Sequence, residues 1–497
     1  MNYTELLNYV APETLIVLTA LGVLIIDLTT LRGAPLPERW RAGAGLTALG
    51  CVAAMTALFL SPASTPDGYL AGMLVLGPLA VMLKFLLLAL TLFTTVIAVE
   101  SDFTEHIGEY FALLLLATVG MMFLVSTENL LMIFVSLELL SLCLYILTAF
   151  NKQNIRSAEA ALKYFLFGGM AAAFLLFGLS LVYGLTGELE LTKIAARLAG
   201  LRRDPLVMVA LLMVLAGFGF KIAAAPFHLW APDAYEGAPA SSAALIASGS
   251  KVASFFLLTK TMMIGFVGME GSGAWRELVR GWVPMLAVAA ALSVVIGNLA
   301  AIVQTGVRRL LAYSAVAHAG YLLTGVLAAQ PEQRMASVLY YVTTYALTVV
   351  GAFAVVAVVE GRAGNDKLSS FAGLSRREPI LAFCMLIFLL SLAGIPPLAG
   401  FFGKFYLFRS ALVGNGTSQS LGLLWLVVLA LGMSAVSLYY YLQVLKQIFV
   451  APAPEEGPGL QSTLVGRSAV TALACSVLLF GCFPNLLVGR LLAALGQ

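Results

Sequence analysis

Glu138, Lys221, Lys251 and Lys404 stand inside long apolar stretches of a 497-residue chain. An ionisable side chain at the centre of a membrane span costs about 2.5–3.5 kcal/mol on insertion scales, so each is a functional candidate by default. Glu138 sits in MIFVSLELLSLCLYIL, with only Ser136, Ser141 and Tyr145 as polar neighbours. Ser126 and Thr127 are candidate helix caps, which puts the carboxylate roughly 15 Å into a hydrocarbon core about 30 Å thick. Lys221 precedes Pro226 in an otherwise apolar helix, and Lys404 follows Pro396 and Pro397. Lys251, in SSAALIASGSKVASFFLL, lies too deep to reach an interface easily. One carboxylate and three ammonium groups on four helices suit proton transfer. Desolvation favours a neutral amine and a nearby carboxylate favours the ammonium. A carboxylate that approaches or withdraws therefore switches a lysine's proton affinity.

Other polar groups at depth carry two readings. Lys163, in AEAALKYFLFGG, either snorkels to the interface or turns inward to pair with Glu138. His228 and His318, two of three histidines, fall in spans. Histidine shuttles protons near neutral pH, but it also packs as a satisfied core side chain. Neither span carries a second histidine, which disfavours haem ligation. Tyr340, Tyr341, Thr343, Thr344 and Tyr345 either hold water between relay sites or make ordinary interhelical hydrogen bonds. Lys260, half a turn round the helix from Lys251, is expected to point away and reach the interface. Lys84 is deep and has no assigned role; Asp27 and Lys446, nearer span ends, read as structural.

The elements that must position these groups are membrane spans. The chain is 61% hydrophobic and 11% charged, against roughly half and a quarter in soluble domains. That excludes a water-soluble enzyme and a disordered chain, and a net charge of +3 argues against a nucleic-acid partner. The five cysteines lie in apolar stretches with no CxxC, so neither a thiolate-bound cluster nor a disulfide framework is indicated. Apolar runs predict fourteen transmembrane helices, near 13–31, 43–60, 72–98, 109–126, 128–149, 158–185, 205–237, 240–266, 283–304, 310–329, 335–359, 379–413, 420–449 and 466–489. The residues up to Pro12 are expected outside. The first run reads as a retained span, since no small-residue cleavage site follows it. Connections near 186–204, 360–378 and 450–465 are too short to fold alone, so 1–497 reads as a single all-α transmembrane domain. Its parts are three N-terminal spans (13–98), a block over 109–266, a block over 283–449, and a last span at 466–489.

Arg32, Arg39, Arg41, Lys152, Arg156, Arg308, Arg309, Arg362, Lys367, Arg376, Arg377 and Arg467 fall in connections after odd-numbered spans, more than after even ones. By the positive-inside rule both termini face away from the cytoplasm.

Residues 205–237 and 379–413 are too long for one straight span, and both carry internal prolines. They read as broken helices lining a polar path, or as kinked helices with interfacial loops. Each is the fourth member of a five-span block, spans 4–8 and 9–13. An odd block length inverts the second block, as in many transporters, which favours the broken helices. No GxGxxG, P-loop, nucleophile elbow or metal-spaced cluster is present. The chain thus carries no site for nicotinamide, flavin, ATP or an iron–sulfur cluster, and its driving energy comes from an ion gradient or from partner subunits.

FKIAAAPFHLWAPDAYEGAP, the SKVASFF helix, AYSAVAHAGYLL and AGIPPLAGFFGKFYLF resemble the antiporter-like membrane subunits of respiratory complex I, over essentially the whole chain. The resemblance implies fourteen helices with two inverted five-helix repeats, broken at helices 7 and 12. It implies that Glu138, Lys221, Lys251 and Lys404 occupy the family's proton-channel positions, with Lys163 the lysine adjacent to the glutamate. Lys404 stands where one branch of the family carries glutamate, and a long carboxy-terminal extension found in another branch is lacking.

The function so implied is proton translocation in a bacterial inner-membrane NADH:quinone oxidoreductase. This chain would hold no cofactor or redox centre. NADH, FMN, iron–sulfur clusters and quinone would belong to partner subunits, which include neighbouring antiporter-like chains. A thylakoid homologue with another electron donor is the alternative location. The alternative function is a subunit of a multisubunit cation/proton antiporter. A passive scaffold is disfavoured by the cost of four deep charges.

Overall fold

The computed structural model describes residues 3–61, 64–66, 69–100, 103–201, 204–413, 421–453 and 463–496. Apolar runs become helices because hydrocarbon offers backbone N–H and C=O groups no partner except each other. In chain order the helices are α1 (Tyr3–Tyr9), α2 (Ala11–Thr29), α3 (Leu36–Leu60), α4 (Pro78–Ala98), α5 (Ile107–Leu124), α6 (Leu130–Thr148), α7 (Ile155–Thr186), α8 (Leu191–Leu198), α9 (Pro205–Lys221), α10 (Trp230–Gly237), α11 (Ala240–Ala247) and α12 (Gly249–Ile264). A two-stranded hairpin, β1 (Ser272–Ala274) and β2 (Glu277–Val279), follows, pairing antiparallel with Gly273 opposite Leu278. Then come α13 (Trp282–Ile302), α14 (Val307–Val326), α15 (Pro331–Ala363), α16 (Leu374–Arg377), α17 (Pro379–Ala393), α18 (Ala399–Leu412), α19 (Leu424–Phe449), α20 (Leu464–Cys482) and α21 (Asn485–Ala494). Among the described residues, 11 helical stretches are long and apolar enough to cross a membrane, with α11 and α12 together forming one of them.

Several expected spans differ in detail. The run 240–266 is divided at Ser248, whose hydroxyl donates back to Ala244 O at 2.6 Å. A back-bonded serine next to a glycine loosens the helical ladder where no proline announces it. The expected last span, 466–489, stops at Cys482, and Pro484 separates α20 from α21. The run from 420 starts its helix at Leu424; Ser420, Met1, Asn2 and residues 454–462 of the connection at 450–465 lie outside the described residues. The connection at 186–204 contains the short helix α8.

The core is the pair α11–α12 together with α15, whose membrane-length windows are wholly buried. Helix α15 packs on α11, α12, α14, α17, α18 and α20. Helix α14 lies close against α13: a Cβ on Gly320 would meet Val294 Cγ2 at 2.5 Å and Ala290 O at 2.7 Å. Small residues permit such approaches between membrane helices.

The two longest helices, α7 (32 residues) and α15 (33 residues), end alike. Gly187 (φ 71°) and Gly364 (φ 70°) close them in the left-handed conformation that glycine adopts without penalty. Shortly after each, an antiparallel bridge ties the chain back to the start of the preceding helix, Glu190 to Asn129 and Lys367 to Gly306.

The runs 205–237 and 379–413 are broken, each into two helices. At the first break, Ala225 N donates to Ser293 Oγ at 2.8 Å, and Trp230 Nε1 donates to Phe220 O at 2.9 Å. At the second, Gly394 turns left-handed (φ 88°) and Gly400 N donates to Ser391 Oγ at 3.2 Å. Protein groups thus take up the backbone polarity that the breaks release.

Candidate functional site

Lys221 ends α9 one residue before the first break and is buried. Its ammonium donates to Ser141 Oγ at 2.9 Å. Ser141 lies one turn beyond Glu138 on α6, so the two share a helix face. Glu138 is half-buried and within electrostatic reach of Lys221, with no direct ion pair between them.

Lys251, on the buried α12, donates to Ala315 O of α14 at 2.6 Å, and its ammonium lies 5.6 Å from the Tyr345 ring centroid. His318, one turn beyond Ala315, uses both ring nitrogens. Nδ1 lies 2.6 Å from Tyr341 Oη and Nε2 lies 3.2 Å from Tyr441 Oη. Tyr441 in turn meets Ser314 at 2.5 Å. The imidazole also packs against the Tyr345 ring, with centroids 5.0 Å apart, and against the Tyr321 ring, at 5.6 Å.

Lys404, on α18, reaches back to cap α17: it donates to Leu392 O at 3.1 Å, Ala393 O at 2.9 Å and Ser434 Oγ at 2.8 Å. Its ammonium also lies 4.9 Å from the Tyr321 ring centroid. A cation at a helix C-terminus meets both unsatisfied carbonyls and the negative end of the dipole.

The structure therefore brings Lys251, His318 and Lys404 together through Tyr345 and Tyr321, whose rings lie 5.0 and 5.6 Å from the imidazole, with Tyr341 and Tyr441 bonded to His318. It places Lys221 against Ser141 on the helix face of Glu138. Imidazole and phenol each donate and accept, which is what passing a proton requires. His228 is buried with Nδ1 lacking a hydrogen-bond partner, and no side-chain bond links it to the lysines.

Of the two readings of Lys163, the geometry gives the interfacial one. Its ammonium, on a 41% exposed side chain, pairs with Glu159 at 2.7 Å and Asp233 at 3.0 Å, not with Glu138. Asp233 and Glu236 of α10 also bind Arg309 at 3.0 and 2.8 Å. These charges surround a cavity of about 390 Å³. Sequence reasoning missed this network and Tyr441; the run Tyr439–Tyr441 and the two acids following Pro232 were the available signals.

Lys260 corrects an expectation. It is buried and pairs with Glu128 at 2.9 Å, a partner in the turn before α6 that no periodicity reveals. Lys84 gains a partner in Glu13 at 2.6 Å, both fully inside the bundle. Asp27 takes Arg39 at 2.8 and 2.7 Å and Gly108 N at 2.9 Å, a structural arrangement. Among the described residues no group of three or more His, Cys, Asp or Glu is placed to hold a metal.

Known proteins share this arrangement of helices. The family model described as NADH:quinone oxidoreductase/Mrp antiporter, transmembrane, matches residues 127–434. NADH-quinone oxidoreductase subunit N 2 of Acidobacterium capsulatum is 54% identical, over 98% of this chain and 99% of its own. A chain of respiratory complex I from Thermus thermophilus superposes with a TM-score of 0.78 at 33% identity, over 97% of this chain and 99% of that one. A chain of the Mrp complex from Dietzia sp. DQ12-45-1b reaches a TM-score of 0.80 at 21% identity, over 98% and 97%, a likeness of fold alone. The chain belongs to the NADH:quinone oxidoreductase/Mrp antiporter transmembrane family, and within it is similar to subunit N of NADH-quinone oxidoreductase.

Proposed function

We propose that this chain is a proton-translocating membrane subunit of an NADH:quinone oxidoreductase, a non-redox part of a redox-driven translocase. Its partners are the other membrane subunits, neighbouring antiporter-like chains among them, and the peripheral subunits, which hold the nicotinamide, flavin, iron–sulfur and quinone sites. The observation that carries the reading is His318, bonded through both ring nitrogens and packed between Tyr345, which faces Lys251, and Tyr321, which faces Lys404.

In this mechanism water and polar groups at the cytoplasmic end load the Glu138/Lys221 pair. The proton passes to Lys251, crosses His318 and its tyrosines, reaches Lys404 and leaves. His228 assists at the first break. Redox chemistry in the partners changes the charge pairing, and with it the lysines' proton affinities.

The fold belonging to this reading is a single domain of fourteen transmembrane segments. α9–α10, α11–α12 and α17–α18 each count as one, and α5–α12 and α13–α19 are inverted repeats. Support comes from the matching glycine closures after α7 and α15 and from the matching bridges. The location is the bacterial inner membrane with both termini on the non-cytoplasmic face, on the distribution of Lys and Arg.

The second reading, a cation/proton antiporter subunit, is favoured only by the family's shared fold. Purifying the assembly from its native membrane separates the two. Copurification with flavin and iron–sulfur absorbance, and quinone-dependent NADH oxidation coupled to proton uptake, are expected. An assembly with neither, exchanging sodium for protons, would overturn the proposal.

A further inference from the structure

Two consecutive arginines, Arg308 and Arg309, occupy the first turn of α14. This is the end of a helix where the dipole disfavours cations. Their partners explain the placement, for both serve α10. Arg309 binds the α10 acids Asp233 and Glu236. Arg308, only 4% exposed, turns to the opposite aspect of the same half-helix. Its Nε donates to Tyr235 O at 2.9 Å and its Nη2 donates to Ala238 O. These carbonyls belong to the end of an eight-residue helix, where the ladder supplies no partner. The remaining nitrogen, Nη1, donates to both oxygens of Glu360, at 2.9 and 3.1 Å, in the last turns of α15. The α14 N-terminus has its own cap, since Arg308 N donates to Asp366 Oδ2 at 2.9 Å. A cavity of about 120 Å³, lined by Asn151, Asn154, Arg308 and Glu360 among others, adjoins the pair.

The other end of α10 touches the relay. Trp230 begins it, and the indole N–H holds Phe220 O, the carbonyl immediately before Lys221. The height of α10 therefore fixes the end of α9, and with it the Lys221 ammonium near Ser141 and Glu138. A planar fork spreads five donors over three nitrogens and so reaches two carbonyls of α10 and a carboxylate of α15 in different directions, whereas a lysine's three donors all radiate from one nitrogen.

We propose that Arg308 is a positioning residue for proton transfer: it clamps α10 of the first block to α15 of the second, with Glu360 orienting the guanidinium. The proposal rests on the relay reading above, and its test keeps the two apart. In the assembled complex, protons translocated per NADH oxidised are measured in proteoliposomes, alongside amide exchange across 230–239. Arg308→Lys is expected to assemble, to lose coupled pumping several-fold per complex, and to exchange α10 amides faster while α9 amides stay protected. Glu360→Gln, which spares the carbonyl bonds, should lose less. The swap Arg308→Glu with Glu360→Arg restores an ion pair without the carbonyl bonds and should stay impaired.

Wild-type pumping by Arg308→Lys, or full recovery in the swap, would overturn the clamp. Should Arg308→Lys fail to assemble, undiminished pumping by Glu360→Gln overturns it instead, and a partial loss there supports it. Lys221→Ala run in parallel separates the readings. If it alone loses pumping, the relay stands and the clamp falls; if it pumps normally, the relay itself falls.

Discussion

An ammonium in hydrocarbon survives where acceptors take its N–H groups, and the deep lysines differ in how many they have found. Lys404 has three acceptors, whereas Lys221 and Lys251 each show one. In the proposed relay the Glu138 carboxylate, one turn from the Ser141 that holds Lys221 and not itself bonded to that lysine, sets the local charge. Glu138→Gln keeps size and hydrogen bonding and removes that charge. We expect an assembled complex with pumping and NADH oxidation both reduced several-fold, because blocked translocation slows electron transfer in a tightly coupled machine. Unaltered proton-to-electron stoichiometry at full rate would remove Glu138 from the path. Lys260 is a different case. Neither its burial nor its partner was legible in the sequence, because Glu128 lies far away in the chain and a helical wheel shows direction without neighbours. Breaking a buried pair by removing one partner costs about 3–5 kcal/mol. Lys260→Ala should therefore lower the amount of assembled complex while leaving pumping per complex intact, and adding Glu128→Ala should restore assembly in part. Quantitative blotting beside pumping decides between this and a relay role for Lys260.

Helix breaks were legible to the extent that proline marks them. Pro226 and Pro396-Pro397 announced the divisions between α9 and α10 and between α17 and α18, since proline removes a backbone donor. The division of α11 from α12 at Ser248 carries no such mark, because serine back-bonding and glycine act through the folded backbone alone. That Lys404 belongs to the second break was legible from Pro396-Pro397, but the groups it bonds there were not. Lys404 caps α17 through the carbonyls of Leu392 and Ala393, so giving up its proton must loosen a bond at the break itself. Arginine at 404 would satisfy the same carbonyls and stay charged at any working pH. Lys404→Arg should then preserve assembly and block translocation, with Lys404→Ala impairing it too. Wild-type pumping by the arginine variant would reduce Lys404 to a helix cap.

At the scale of the whole molecule, composition and the spacing of apolar runs were enough to place the chain in a bilayer, because hydrocarbon leaves helices as the only economical backbone. The relative orientation of the two blocks is a sharper matter. In the proposed fold, five spans per block would invert the second block, so equivalent turns would open on opposite faces of the membrane. The turn after α7, tied by the Asn129–Glu190 bridge, and the turn after α15, tied by the Gly306–Lys367 bridge, are such a pair. Exposed Lys193 lies just beyond the first bridge, and exposed Lys367 is a member of the second. With the native cysteines replaced, Lys193→Cys should react with an impermeant maleimide from the non-cytoplasmic face of sealed vesicles. Lys367→Cys should react only from the cytoplasmic face, where the excess of Lys and Arg lies. The charged cavity at Lys163, Asp233 and Arg309 would then open on the cytoplasmic side as well, because α10 ends one short turn before α11 re-enters the membrane. Labelling of both cysteines from one face would break the inverted repeat, and with it the placing of that cavity on the cytoplasmic side.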